Sequence, residues 1–278
     1  MGQDSPFHCM ERPLAESAAL VVDSPHSGGG LPDDLEWQGD TRLLLMNEDV
    51  GVDRLFADVP QQGGALLTAA ISRHYIDLNR APDDLDPQLV TGARSGRDAH
   101  AHGGLIRRLP GRIVPLSIAA VERRLSDVWW PYHRCLARLL EVRRQHFGAV
   151  WHLNAHSMPA GTRDGRGRLV DIVLGNRHGI TASADFMQVL AVLCEKEGLR
   201  VAHNDPYAGV ECVRRYGNPA GGIHSVQIEI GRHLFYDEQR FRFLPQMEKF
   251  RASLNRIVSG VADYTCNAAR PSGRLAAE

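Results

Sequence analysis

Apolar positions along this chain follow two periods. Short runs rich in Val, Ile and Leu, each stopped by turn residues, predict strands over 19–23, 65–71, 74–78, 149–154, 170–174, 199–203 and 223–230. Between them, apolar residues recur every three or four positions over 41–58, 117–147, 182–198 and 237–259, which predicts helices. In 117–147, Ile118, Val121, Leu125, Val128 and Tyr132 mark one face, and Glu122, Arg123, Arg124 and Asp127 the other. Pro131 falls inside that stretch and predicts a kink or division near Trp130, because it removes a helical N–H. Strands alternating with long helices imply an α/β fold with a mixed, mostly parallel sheet covered by helices on both faces.

No repeat or interdomain linker interrupts the pattern. One domain is expected over 18–262, between flexible termini at 1–17 and 263–278. Residues 93–114 are polar, Gly-containing and without period, and read as a mobile segment near a functional site.

Composition adds limits. A chain of 278 residues can bury one sizeable core, and 43% apolar with 23% charged residues is ordinary for a globular protein. A net charge of −1 gives no basis for nucleic-acid or membrane partners. No charged-then-apolar leader opens the chain and no apolar run is long enough to span a bilayer, so a cytoplasmic location is expected. Nothing in the pattern fixes an oligomeric state. The five Cys are scattered without C-x-x-C spacing, which argues against a disulfide framework or a Cys-rich metal site. Cys135 and Cys194 lie in apolar helical patterns and read as core thiols. Of the 13 His, His74, His100, His102, His178 and His203 lack a second signal and read as surface or structural.

The candidate chemistry lies where apolar runs end. His26 follows Leu20-Val21-Val22 in the Gly-rich loop Ser24-Pro25-His26-Ser27-Gly28. His156 closes Trp151-His152-Leu153-Asn154-Ala155-His156-Ser157, and Glu229 sits in Val226-Gln227-Ile228-Glu229-Ile230. Open α/β sheets present ligand-binding groups at the carboxyl ends of their strands. Two His and a carboxylate suit a catalytic zinc site, which takes three protein ligands and keeps a position for water. The run Asn47-Glu48-Asp49-Val50-Gly51-Val52-Asp53 offers Glu48, Asp49 and Asp53 as acidic ligands, or as charges complementing a helix N-terminus. Ser72-Arg73-His74-Tyr75-Ile76-Asp77-Leu78-Asn79-Arg80 carries an Arg suited to bidentate carboxylate binding, or to an Asp77–Arg80 ion pair. The turn-rich runs around Tyr207 and Arg214 suit anion recognition or a solvated turn. The chain has no G-x-S-x-G serine elbow and no G-x-x-x-x-G-K-[ST] phosphate loop.

Taken in order, these runs resemble the N-formylglutamate amidohydrolase family. The matching pieces include Asp23-Ser24-Pro25-His26-Ser27-Gly28, Glu48-Asp49-Val50-Gly51-Val52-Asp53 and Ile76-Asp77-Leu78-Asn79-Arg80-Ala81-Pro82. Further pieces are Trp130-Pro131-Tyr132-His133, Asn154-Ala155-His156-Ser157-Met158-Pro159, Asn204-Asp205-Pro206-Tyr207, Arg214-Arg215-Tyr216-Gly217 and Gly222 to Glu229. The set spans residues 20 to 240, and the ordered set is specific where any one piece is weak. The resemblance extends more distantly to zinc carboxypeptidases and aspartoacylase-type deacylases. It implies a zinc-carboxypeptidase-like (phosphorylase/hydrolase-like) fold and one zinc ion per chain, with another divalent metal as the alternative. It further implies His26, Asp49 and His156 as metal ligands, Glu229 as general base, and Asn79, Arg80, Arg214 and Ser157 as substrate-binding residues. The implied reaction is hydrolysis of the N-formyl amide of an acidic amino acid to formate and L-glutamate. A zinc deacylase or peptidase acting on another N-acyl substrate, and a catalytically silent carboxylate binder, are the alternatives. Two departures stand out. Gly29 occupies the place of the Glu in the relatives' His-x-x-Glu ligand pair, and the stretch from Gly92 to Leu109 lacks an aromatic- and Pro-containing segment.

Overall fold

In the computed structural model, which describes residues 7–11, 17–35, 39–94, 104–108 and 115–269, buried apolar runs and amphipathic helices assemble as layers. In chain order the strands are β1 (His8–Glu11), β2 (Leu20–Ser24), β3 (Ala65–Ala69), β4 (Val90–Thr91), β5 (Leu116–Ser117) and β6 (Val150–Met158). They continue with β7 (Ile172–Gly175), β8 (Val201–His203), β9 (Ile223–Gly231), β10 (Tyr236–Asp237) and β11 (Arg242–Phe243). The helices are α1 (Thr41–Leu45), α2 (Val52–Leu55), α3 (Ile118–Arg124), α4 (Trp130–Phe147), α5 (Ala184–Lys196), α6 (Glu211–Tyr216) and α7 (Met247–Ala268).

Seven strands form one sheet in the order β1-β3-β2-β6-β9-β7-β8. The centre, β3-β2-β6-β9, is parallel; β1 runs antiparallel to β3, and β7 antiparallel to β9. This is the mixed, mostly parallel sheet expected from the sequence. Its central strands are buried on both faces, as parallel strands must be. One face packs with α5 and α7 around Leu153, Phe186, Leu190, Ile228, Leu254 and Val258. The other packs with α4 around Val21, Leu67, Trp129, Tyr132, Leu136 and Leu140. Among the described residues, no helix is long and apolar enough to cross a membrane.

Several elements differ from the periodic reading. The helix expected over 41–58 is two short helices, because Gly51 adopts φ +82° between them. The helix expected over 117–147 divides as predicted: Leu125–Trp129 is a π-helical turn, and Pro131 lies in the first turn of α4. Residues 74–78 are not a strand. Tyr75 N–H donates to Ser72 O at 3.0 Å, so the chain turns there, and the apolar Ile76 and Leu78 fill the core from a turn. The helix expected over 237–259 is displaced: β10 and β11 form a short hairpin, and α7 begins only after Pro245.

The termini also hold more structure than expected. The chain is helical through Ala268, inside the tail expected from 263, and β1 lies inside the N-terminus expected to be flexible. Of the segment 93–114, residues 95–103 and 109–114 lie outside the described residues, including His100 and His102. Within it, Leu105 and Ile106 are fully buried, and the Asp77 N–H donates to Leu105 O at 2.9 Å.

Candidate active site

Strand register builds the site. Asp23 on β2 lies beside Asn154 on β6, and Asn154 and His156 lie beside Gln227 and Glu229 on β9. Alternate residues of a strand share one face. His152, Asn154 and His156 therefore form a polar stripe with Ser225, Gln227 and Glu229, while Trp151, Leu153 and Ala155 face the apolar core with Val226, Ile228 and Ile230.

His26 stands two residues past the end of β2. The turn that carries it lies against β3's continuation, where a Cβ on Gly28 would come within 2.5 Å of Ile71 O. The Asp49 N–H donates to His26 O at 3.0 Å and brings the 47–53 run to the same place. The ligand atoms of His26, Asp49 and His156 all lie within 4.8 Å of one another, and all three residues are buried. His26 Nε2 donates to Asp77 Oδ1 at 2.6 Å. Its Nδ1 is buried with no hydrogen-bond partner among the described residues, 3.5 Å from Asp49 Oδ2. His156 Nδ1 lies 2.9 Å from that same oxygen. A buried nitrogen lone pair facing a carboxylate oxygen is costly unless a proton or a metal cation lies between them. Two imidazoles and one carboxylate, each with an outer hydrogen-bond partner, are a donor set that fits zinc.

Asp49 is tightly held. The Ser157 hydroxyl donates to its Oδ1 at 2.9 Å, and Arg232 Nε donates to Ser157 Oγ at 3.0 Å. Arg232 also donates to Glu48 O and Met46 O, each at 2.9 Å, so it ties the 46–49 backbone to the end of β9. Burial opposes ionisation of Asp49, but the His156 and His26 rings that face it outweigh burial and hold its carboxyl well below the usual range. Its neighbours in sequence go elsewhere. Glu48 accepts from the Ser72 hydroxyl, and burial pushes its carboxyl up to about 8. Asp53 is partly buried in α2 and is not part of the three-residue cluster.

The cluster opens into a cavity of about 740 Å³, the size of a small-molecule site. Arg73, Arg80 and Arg107 line it, as do Asn79, Tyr207, Gln227, Glu229 and Arg232. Arg73 and Arg107 both reach Asp77 Oδ2, at 2.7 and 3.3 Å. Each guanidinium has five N–H donors, and these contacts use only some of them. Burial and the neighbouring Arg73 bring the Arg107 group down to about 10. Gln227 Nε2 donates to Glu229 Oε1 at 2.8 Å, and Gln227 is itself oriented by the Val210 N–H, which donates to its Oε1 at 3.1 Å. Burial raises the Glu229 carboxyl above its ordinary value.

The structure thus brings together His26, Asp49, His156, Ser157, Asn79, Arg80 and Glu229 of the residues read from the sequence. It does not bring Arg214 among the cavity-lining residues: that side chain is half-exposed, and its Nε donates to Glu211 Oε2 at 2.8 Å. Asn79 lines the cavity, but its amide nitrogen lies 2.9 Å from His156 Nε2 and its Oδ1 accepts from the Cys212 N–H at 2.8 Å. Sequence reasoning missed Arg73, Arg107, Arg232 and Gln227 as site residues. Gln227 was open to the period-two argument, two residues before Glu229. Arg107 had no such signal, because it sits in a stretch without period.

The sequence profile of the N-formylglutamate amidohydrolase family matches residues 18–236. N-formylglutamate deformylase from Pseudomonas aeruginosa is 29% identical over 232 residues, covering 79% of this chain and 83% of the relative. The enzyme of that name from Pseudomonas putida is 30% identical over 224 residues, covering 79% and 82%. A crystal structure of N-formylglutamate amidohydrolase from Ralstonia eutropha JMP134 superposes with a TM-score of 0.88 at 34% identity, covering 95% of this chain and all of that one. A gene product from Agrobacterium tumefaciens shares the fold, with a TM-score of 0.67 at 20% identity over 93% of this chain and 94% of its own.

Proposed function

Since the chain belongs to the N-formylglutamate amidohydrolase family, we propose that it hydrolyses N-formyl-L-glutamate to formate and L-glutamate at this cavity. The observation that carries the proposal is the convergence of two imidazoles and a buried carboxylate at the floor of a small cavity walled by four guanidiniums. His26, Asp49 and His156 hold a divalent ion, with zinc the ion their donor set suits. When bound, such an ion supplies Lewis-acid activation of water and of the amide carbonyl.

The remaining work belongs to the chain's own side chains. Glu229, oriented by Gln227, accepts the proton of the attacking water and returns it to the departing amine nitrogen. Its raised carboxyl makes it a stronger base than an exposed Glu, which suits both transfers. Arg80 binds a substrate carboxylate. Arg73 and Arg107 take the second in place of Arg214, since both line the cavity and Arg214 does not. Ser157 and Arg232 keep Asp49 in position.

Release of formate from N-formyl-L-glutamate and N-formyl-L-glutamine, and of acetate from N-acetyl-L-glutamate, tests the reading. Fastest turnover of N-formyl-L-glutamate is expected. Equal turnover of the glutamine compound contradicts the assignment of the arginines, and preferred turnover of the acetyl compound moves the activity to another acyl group.

A further inference from the structure

A chain of hydrogen bonds runs from beneath the sheet's polar stripe to His156. Asp23 is fully buried and, as a carboxylate, only accepts. Its Oδ1 accepts from Asn154 Nδ2 and from His152 Nε2, each at 2.8 Å, and its Oδ2 accepts from the Tyr132 hydroxyl at 2.8 Å. His152 is fixed in turn, because the Ser225 hydroxyl donates to its Nδ1 at 2.7 Å. With its NH2 committed to Asp23, Asn154 has to present its carbonyl oxygen on the other side. That oxygen lies 2.8 Å from His156 Nε2.

A second amide pulls the other way. The Asn79 nitrogen lies 2.9 Å from the same Nε2, and the Cys212 N–H holds Asn79 in that orientation. Asn79 Nδ2 also donates to Asn154 Oδ1 at 3.3 Å; a bond to Nε2 instead would favour a proton on Nδ1, where it would face Asp49. Asn154 favours a proton on Nε2. Only the second tautomer leaves the Nδ1 lone pair available to an ion.

We propose that Asp23 and Asn154 are positioning residues that hold His156 in its Nε2–H tautomer, so that Nδ1 serves as a metal ligand. The inference rests on the metal-centre reading above. Asp23 acts at one remove, by denying Asn154 the flip that would turn its NH2 toward His156. A buried carboxylate with three donors is a demanding arrangement to assemble, and a fixed amide is what this one provides.

The test uses the full chain with nitrogen-labelled histidine. Ring nitrogen shifts of His156 report its tautomer, at a pH where the ring is neutral, with and without zinc. Asn154→Leu removes the carbonyl and leaves Asn79 as the amide on Nε2. It is expected to shift the ring toward Nδ1–H and to weaken zinc binding about 10- to 100-fold in competition with a chelator. Asp23→Asn can still offer a carbonyl to both donors while the Tyr132 hydroxyl turns to accept, so it keeps most of the affinity; Asp23→Leu does not. If Asp23→Leu fails to fold, Asn154→Leu alone decides. A His156 spectrum unchanged in Asn154→Leu overturns the proposal, whether or not zinc binds. Wild-type protein that binds no zinc, yet shows the shift in Asn154→Leu, contradicts the metal centre and supports the positioning role.

Discussion

The two faces of β6 and β9 are buried alike and governed differently. On one face Trp151, Leu153 and Ala155 pack with Val226, Ile228 and Ile230 beneath α5 and α7, held chiefly by apolar area removed from water. On the other, His152, Asn154 and His156 lie with Ser225, Gln227 and Glu229, where each buried polar group needs a partner of the right kind. Truncation on the first face removes stability. Truncation on the second is expected to remove chemistry, because its groups are held by donor and acceptor identity rather than by volume. With the proposed function, one strand pair would separate what keeps the protein folded from what makes it act.

His156→Ala should separate the two faces most sharply. It should empty the metal centre and abolish formate release in a protein that still folds; zinc content unchanged by elemental analysis would remove His156 from the ligand set. Glu229→Gln should come next, lowering kcat by about 100- to 10,000-fold while zinc stays bound. Full turnover in that variant would leave the proton transfers to another group. On the apolar face, Leu153→Ala should cost about 2–5 kcal/mol in denaturant unfolding. Zinc content and kcat of the folded protein should hold, and a parallel loss of either would show that the two faces are not separable.

The smallest effect is a pH dependence of stability. His133 Nε2 donates to Leu78 O at 2.9 Å, the ring stacks on Trp129, and burial pushes its pKa down to about 3. Unfolded, the ring titrates near about 6.5. Between those values the unfolded chain binds more protons, so stability falls as pH drops below about 6.5, by at most about 1.4 kcal/mol per pH unit. His74, pushed down to about 4 by burial, adds to the loss in the same window. Urea unfolding at neutral pH and one unit below 6.5 should differ by about 1 kcal/mol for each of these two rings, and His133→Gln should flatten the slope. An unchanged slope in that variant would mean that His133 does not carry the effect.

Where period and burial coincide, the fold was legible. The runs at 19–23, 149–154 and 223–230 are central strands because an apolar alternation there can only be satisfied inside a sheet. The alternation of Tyr75, Ile76 and Leu78 was misleading, since a turn can bury the same residues while Asp77 accepts from His26, Arg73 and Arg107. Pro245 was the available sign that α7 starts late. His26, His156 and Glu229 were legible because each ends or interrupts an apolar run. The choice of Asp49 over Glu48 was not, because two adjacent carboxylates differ only in where the folded backbone points them. Arg232 was hidden for a related reason: its role comes from a contact across 184 residues to Glu48, which no local period encodes.

Metal dependence of amide hydrolysis at His26, Asp49 and His156 is open to direct test. The most direct measurement is formate release from N-formyl-L-glutamate by the purified protein, before chelation, after chelation, and after zinc is returned. Chelation is expected to abolish release and zinc to restore it, with about one ion bound per chain. Undiminished release from protein shown to hold no metal would contradict that expectation.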